Sequence, residues 1–138
     1  MEHFKVLDIS GDVGLTAYGR DKNEVFSSAA IGMYNLITDL DTIKEIKTIR
    51  VSVENPSLDG LLVSWLNELI FHFDTYGFIG KTIHIEKLSG NAIRATITGE
   101  EFDRERHEGK LLIKAATYHK LRIEKTNDMW EIDVIFDI

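Results

Sequence analysis

Carboxylate groups near the two ends of the chain have the types and positions needed to bind a metal ion. Asp8 and Asp12 bracket a glycine-containing loop before a predicted strand, and Asp137 and the main-chain carboxylate of Ile138 finish another strand. Calcium and magnesium bind carboxylate and carbonyl oxygens. If the fold gathers two aspartates and the terminus, about three negative charges meet and need a cation. The alternative is that these acidic groups are simply solvated.

Other polar residues could lie at the same rim. The hydrophobic alternation of residues 134–138 (VIFDI) continues to the last residue and would hold Asp137 in place, whereas most domains end in a frayed polar tail. His119 follows a predicted strand and is either a structural histidine or a polar group at this rim. Asp39 and Asp41 follow the first predicted helix, where aspartates usually form turns, with a position near a metal as the alternative.

The known catalytic motifs are missing from the sequence. There is no phosphate-binding glycine loop, GxSxG, HExxH, EF-hand or dinucleotide motif, and no two histidines lie three or four residues apart. The absence of cysteine excludes disulfides, thiolate zinc sites and cysteine nucleophiles. An ordinary enzyme is therefore disfavoured. A stand-alone hydrolase, with a metal on Asp12 and Asp137 and His119 as base, is the enzymatic alternative.

Length and charge limit the fold and the partners. The 138 residues, 43% of them hydrophobic, predict one domain over 1–138. Sixteen basic against 23 acidic residues give a net charge of −7, which disfavours direct binding to phosphate backbones and favours a protein partner or a cation. The sequence shows neither a signal peptide nor an apolar run long enough to span a membrane, so we expect a cytoplasmic protein.

Two helices are predicted from capping signals and apolar periodicity. Asp21 occupies an N-cap position with Glu24 three residues later, and the second helix follows Ser57 and stops at Gly77. The first helix has one apolar face, made of Val25, Ala29, Met33 and Leu36. The second has a longer apolar stripe around Trp65. Both stripes are typical of helices that pack against a core.

Alternating segments predict the strands. Strands are expected around Val13, over 49–55, on both sides of the turn 89–91, near 112–118 and on both sides of the turn 126–128. Two helices on a mostly antiparallel sheet define an α+β fold. The charged segment 100–110 is predicted to be a mobile surface loop. An adaptor or chaperone-like module that acts through this loop without a metal is a further functional alternative.

Six blocks of the sequence, in order, resemble the archease family. They are LDISGDVGLTAYG, EVFSSAAIGMYNLITD, LLVSWLNELIFHFDT, GEEFDRERHE, KAATYHKL and VIFDI. The first block departs from the family's usual Asp-His-Thr-Ala-Asp, because Asp8 and Asp12 here enclose Ile9, Ser10 and Gly11. The similarity covers nearly the whole chain.

The resemblance implies both a fold and a function. The fold would be α+β, with a smaller lobe inserted in a larger one. The protein would stimulate a GTP-dependent RtcB-type RNA ligase in tRNA splicing, promote its guanylylation and multiple turnover, and join no RNA itself. The family's metal ligands match Asp12, Asp137 and the carboxylate of Ile138, with Ca²⁺ as the expected ion.

Overall fold

The first two strands of the computed structural model, which describes residues 3–9 and 11–138, form an antiparallel pair. Strand β1 (Phe4–Ile9) pairs with β2 (Asp12–Gly19). Gly11 lies between them with φ 80°, a left-handed conformation that glycine adopts without steric cost. The remaining strands of this sheet come from the other end of the chain.

Helix α1 (Lys22–Ile37) follows β2 and confirms the predicted capping. The side chain of Asp21 accepts a hydrogen bond from the backbone N–H of Glu24 at 2.8 Å. The predicted apolar face is buried, as the low exposure of Val25, Ala29, Met33 and Leu36 shows. A 3₁₀ turn (Leu40–Thr42) follows the helix.

A smaller lobe is inserted between β2 and the last three strands, as the resemblance implied. It contains β3 (Lys47–Glu54), α2 (Leu58–Tyr76), β4 (Phe78–Leu88) and β5 (Ala92–Glu101). The strands form an antiparallel sheet in the order β3-β5-β4. Ser57 caps the start of α2, and Gly77, with φ 71°, ends it as predicted.

The chain then returns to the first sheet through β6 (Ala115–Ala116), β7 (Arg122–Thr126) and β8 (Met129–Asp137). This sheet has the order β1-β2-β8-β6, and β7 also pairs with β8. The prediction of a strand over 112–118 is wrong in length, since only two residues pair with β8 and Leu112 is 78% exposed. The amide of Asn67 binds both the N–H and the C=O of Ala116, at 2.8 and 3.4 Å, and so occupies the free edge of β6.

The two helices connect the two sheets through one hydrophobic cluster. Helix α1 contacts both β2 and β4, and α2 contacts both β3 and β6. Trp65 is fully buried in this cluster, and its indole N–H donates to the carbonyl of Phe26 at 3.2 Å. No helix in the described part of the chain is long and apolar enough to cross a membrane. The α+β fold with two helices is thus confirmed.

Candidate functional site

The register of β2 and β8 brings Asp12 and Asp137 to the same end of the first sheet. The last registered pair is Val13 with Phe136, so a continuation of the antiparallel register by one residue would set Asp12 opposite Asp137. Directly opposed residues project on the same face, with Cβ atoms roughly 4.5–5.5 Å apart. Ile138 follows immediately. Residues from opposite ends of the sequence therefore meet at one end of this sheet.

Both aspartates project from the face of the sheet that points away from the helices. Leu15 and Val134, a registered pair on the opposite face, are fully buried in the core. Strand alternation places Asp12 and Asp137 on the other face, where Asp12 is half-buried and Asp137 is exposed. A partner or a solvent ion can therefore reach the Asp137 carboxylate.

Backbone hydrogen bonds fix the end of β8, as the apolar pattern of the last residues had suggested. The N–H of Lys114 donates to the carbonyl of Asp137 at 2.8 Å, and the N–H of Thr117 donates to the carbonyl of Ile135 at 3.0 Å. The strand continues through Asp137, and Ile138 is 40% exposed. The end of β8 is thus held by β2 as far as Phe136 and by β6 as far as Asp137.

The structure gives two of the other candidate residues, Asp39 and His119, local contacts of their own. The carboxylate of Asp39 accepts the N–H of Asp41 at 3.0 Å and caps the 3₁₀ turn, which is the turn-forming role expected of it. His119 is exposed, and its backbone N–H donates to the Thr117 hydroxyl at 3.3 Å. Asp8 pairs with Val13 in the register, but its side chain lies outside the described residues. Within the described residues, no three His, Cys, Asp or Glu side chains gather as a metal site.

A charged network on the same outer face was missed by the sequence reasoning. Arg122 binds Asp133 and Glu131, both at 2.8 Å, and also Glu124. Burial disfavours the charged carboxylate of Asp133, but hydrogen bonds from Arg122 and Thr16 outweigh it and lower the pKa of Asp133. These three carboxylates raise the pKa of Arg122. The signal was present, because the predicted turn at 126–128 sets the hairpin register that places Arg122 opposite Asp133.

Segment 100–110 is for most of its length the exposed loop that its charge predicted, but it contains two buried polar residues. Glu100 and His107 are only 4% and 3% exposed, and β5 extends to Glu101. Glu100 accepts hydrogen bonds from the N–H of Lys44 at 2.6 Å, from the Arg106 guanidinium and from His107 at 3.2 Å. These contacts bury a charged anchor at one end of the segment.

The protonation states in this buried cluster follow from its hydrogen bonds. Nδ1 of His107 accepts the N–H of Asp103 at 2.8 Å, so Nε2 carries the proton and donates to Glu100. The hydrogen bond from Arg106 lowers the pKa of Glu100 most, burial opposes it, and the Lys44 N–H contributes further, which gives a pKa of about 2. The Glu100 carboxylate is therefore ionised at neutral pH and holds the segment in place.

Comparisons with known proteins agree with this fold. The family model of the Archease protein family matches residues 4–138. An archease from Methanosarcina acetivorans is 33% identical over 98% of this chain and 95% of its own length. The solution structure of a protein from Methanobacterium thermoautotrophicum superposes with a TM-score of 0.84 at 34% identity over all of both chains. A crystal structure from Thermotoga maritima, described as an archease and possible chaperone, gives a TM-score of 0.68 at 21% identity, over 97% of this chain and 96% of that one. This chain belongs to the Archease protein family.

Proposed function

We propose that this protein is an accessory factor that stimulates a GTP-dependent RtcB-type RNA ligase in tRNA splicing or RNA repair. The ligase links a 3′-phosphate or cyclic phosphate end to a 5′-hydroxyl. The accessory protein promotes guanylylation of the ligase and lets it complete many turnovers, without joining RNA itself. Membership of the Archease family supports this assignment. The net charge of −7 favours contact with a protein over contact with RNA.

The observation that supports the metal part of the proposal is the register of β2 and β8, which ends at Val13 opposite Phe136, next to Asp12 and Asp137. Two carboxylates in these positions repel each other, and the terminal carboxylate of Ile138 adds a third negative charge. Their oxygens form a donor set suited to a hard divalent cation such as Ca²⁺. When bound there, the ion supplies positive charge that can stabilise phosphate oxygens during the partner's reaction.

The chain's own residues keep these oxygens in place and accessible. Strand β8 is hydrogen bonded up to Asp137, so the backbone that carries this carboxylate needs little ordering when an ion binds. The exposure of Asp137 leaves it free to approach a partner. The protein would thus present an acidic edge to the ligase.

The proposal is tested by combining a binding assay with a ligation assay. Asp12→Asn and Asp137→Asn keep the side-chain size and remove the charge, and Asp74→Asn, at an exposed position on α2, is the matched control. Calorimetric titration with Ca²⁺ should show at least tenfold weaker binding for both site variants. In a ligation assay that contains the ligase, GTP and an excess of RNA over ligase, both site variants should lose the stimulation that the wild type and the control give. Thermal unfolding without metal should leave their stability equal or higher, because repulsion is relieved.

A metal-independent adaptor or chaperone-like role is the second candidate. It is favoured by the exposed aromatic pair Phe71 and Tyr76 on α2, which are 51% and 58% exposed. Stimulation that survives both Asp→Asn changes together would reject the metal site and support the adaptor. RNA or nucleotide turnover by this protein alone, without ligase, would instead support the hydrolase.

A further inference from the structure

A cavity of about 470 Å³ opens where α1 and α2 end. The segment after β5 forms one wall of the cavity. It is attached to the end of α1, because the N–H groups of Lys110 and Leu111 donate to the last carbonyls of that helix at 2.8 and 3.1 Å. Its volume lies in the range of ordinary ligand pockets. The residues that matter for its chemistry are Ile37, Phe73, Phe102, Arg104, Leu111 and Leu112.

The floor of this cavity is apolar and firmly held. Phe73 and Phe102 pack edge to face with ring centroids 6.0 Å apart, and Phe102 lies 5.6 Å from the ring of His107. The hydrogen bonds from His107 and Arg106 to buried Glu100 hold the same segment in place. The cavity is therefore preformed, so that a ligand would not have to order it.

Leu112 lines this cavity and is exposed to solvent. It is 78% exposed, the highest value among the large apolar side chains of the described residues. An apolar side chain that protrudes beside an apolar cavity is covered when a complementary surface docks. Ile46 has a similar exposure of 70% but does not line this cavity, so it provides a matched control.

The charge at the rim is opposite to that of the protein as a whole. Lys110 donates from Nζ to the carbonyl of Asn35 at 2.8 Å and so caps α1. Arg106 is paired with Glu100, but Arg104 makes no hydrogen bond or ion pair with any residue in the described part of the chain. An unpaired guanidinium beside an apolar floor suits a carboxylate next to a bulky apolar group.

We propose that this cavity docks a segment of a partner protein that carries a bulky apolar side chain next to a carboxylate. The apolar group fills the space over Phe73 and Phe102, and the carboxylate pairs with Arg104. The partner tested is the ligase, so the inference rests on the proposed function. The protein would then have two separate functional surfaces: a docking surface at the helix ends and an acidic edge at Asp12 and Asp137.

The experiment measures affinity and stimulation separately. Arg104→Glu and Leu112→Ser change exposed positions, and Arg50→Glu and Ile46→Ser are their controls of matched charge and exposure. Binding of the full-length chain to the ligase is measured by biolayer interferometry, and multiple-turnover ligation is followed over a range of concentrations. We expect the cavity variants to raise Kd at least tenfold and to recover full stimulation at saturating concentration, while the controls behave as the wild type.

The chemistry of the docked segment has its own test. Acidic surface residues of the ligase are changed to lysine one at a time, and one such change should restore binding by Arg104→Glu. Cavity variants that bind the ligase as the wild type does, in a protein that still stimulates it, would overturn the docking inference and leave the proposed function intact. Restoration by none of the lysine changes would also overturn it. A wild-type chain that neither binds nor stimulates the ligase would refute both.

Discussion

Replacing Glu100 with glutamine should destabilise this protein far more than the same change at the next residue. The Glu100→Gln change keeps the side-chain size. It removes the negative charge that accepts hydrogen bonds from Arg106, His107 and the Lys44 N–H. The pKa of Glu100 falls from its ordinary value of 4.5 to about 2, which corresponds to roughly 3 kcal/mol of folding free energy. Arg106 is 43% exposed, so solvent screens part of the attraction, and we expect a loss of about 2 kcal/mol at pH 7.

The pH dependence gives this prediction its sign. Because the pKa of Glu100 is lower in the folded protein, its contribution is complete above pH 4.5 and is lost as the pH falls from there toward about 2. Urea unfolding between pH 7 and pH 3 should therefore show the difference between wild type and Glu100→Gln shrinking as acid is added. At pH 7 the loss corresponds to a Tm lower by about 7 °C.

Glu101→Gln is the control, because Glu101 is exposed and pairs only with Lys47, at 3.5 Å, among the described residues. Such surface pairs contribute about 0–1 kcal/mol. Equal losses for Glu100→Gln and Glu101→Gln would refute the view that Glu100 is a buried charged anchor. A Glu100→Gln deficit that is unchanged from pH 7 to pH 3 would refute the pKa argument.

Two further substitutions test packing in the inserted lobe and around α1. Tyr34→Phe should leave stability unchanged or raise it by about 1 kcal/mol, because its buried hydroxyl has no hydrogen-bond partner among the described residues; a loss above about 1 kcal/mol in urea unfolding would contradict this. Gly99→Ala should cost about 3 kcal/mol or prevent folding, since a Cβ there would lie 1.9 Å from the carbonyl oxygen of Ile79. Gly90→Ala, with no atom within 4 Å, should be nearly neutral, and similar Tm values for the two alanine variants would speak against this reasoning.

Elements with local signals could be predicted from the sequence. Asp21 and Ser57 cap the helices where the pattern placed them, and Gly77 ends α2. The predicted strand over 112–118 was too long, because pairing in this segment depends on β8 and on Asn67, which local periodicity does not encode.

Charge patterns gave less information about burial and about the site. Residues 102–110 form a largely exposed loop, as their charge predicted, but the burial of Glu100 was missed because it depends on a contact with Lys44, 56 residues earlier. The same limit applies to the candidate metal site. Spacing alone could not place Asp12 beside Asp137, since strand order is a property of the whole fold. The register brings Val13 and Phe136 together, next to these aspartates, and the metal site itself stays a prediction.

The amide of Asn67 has a consequence for the behaviour of the protein in a crowded solution. Edge strands offer free N–H and C=O groups to which a second molecule can add, and this is a common route to aggregation. On the α2 side of β6, a side chain already satisfies both groups of Ala116, as a neighbouring backbone would. The β6 part of this flank is therefore closed to strand addition, and self-association through it would first require α2 to move away.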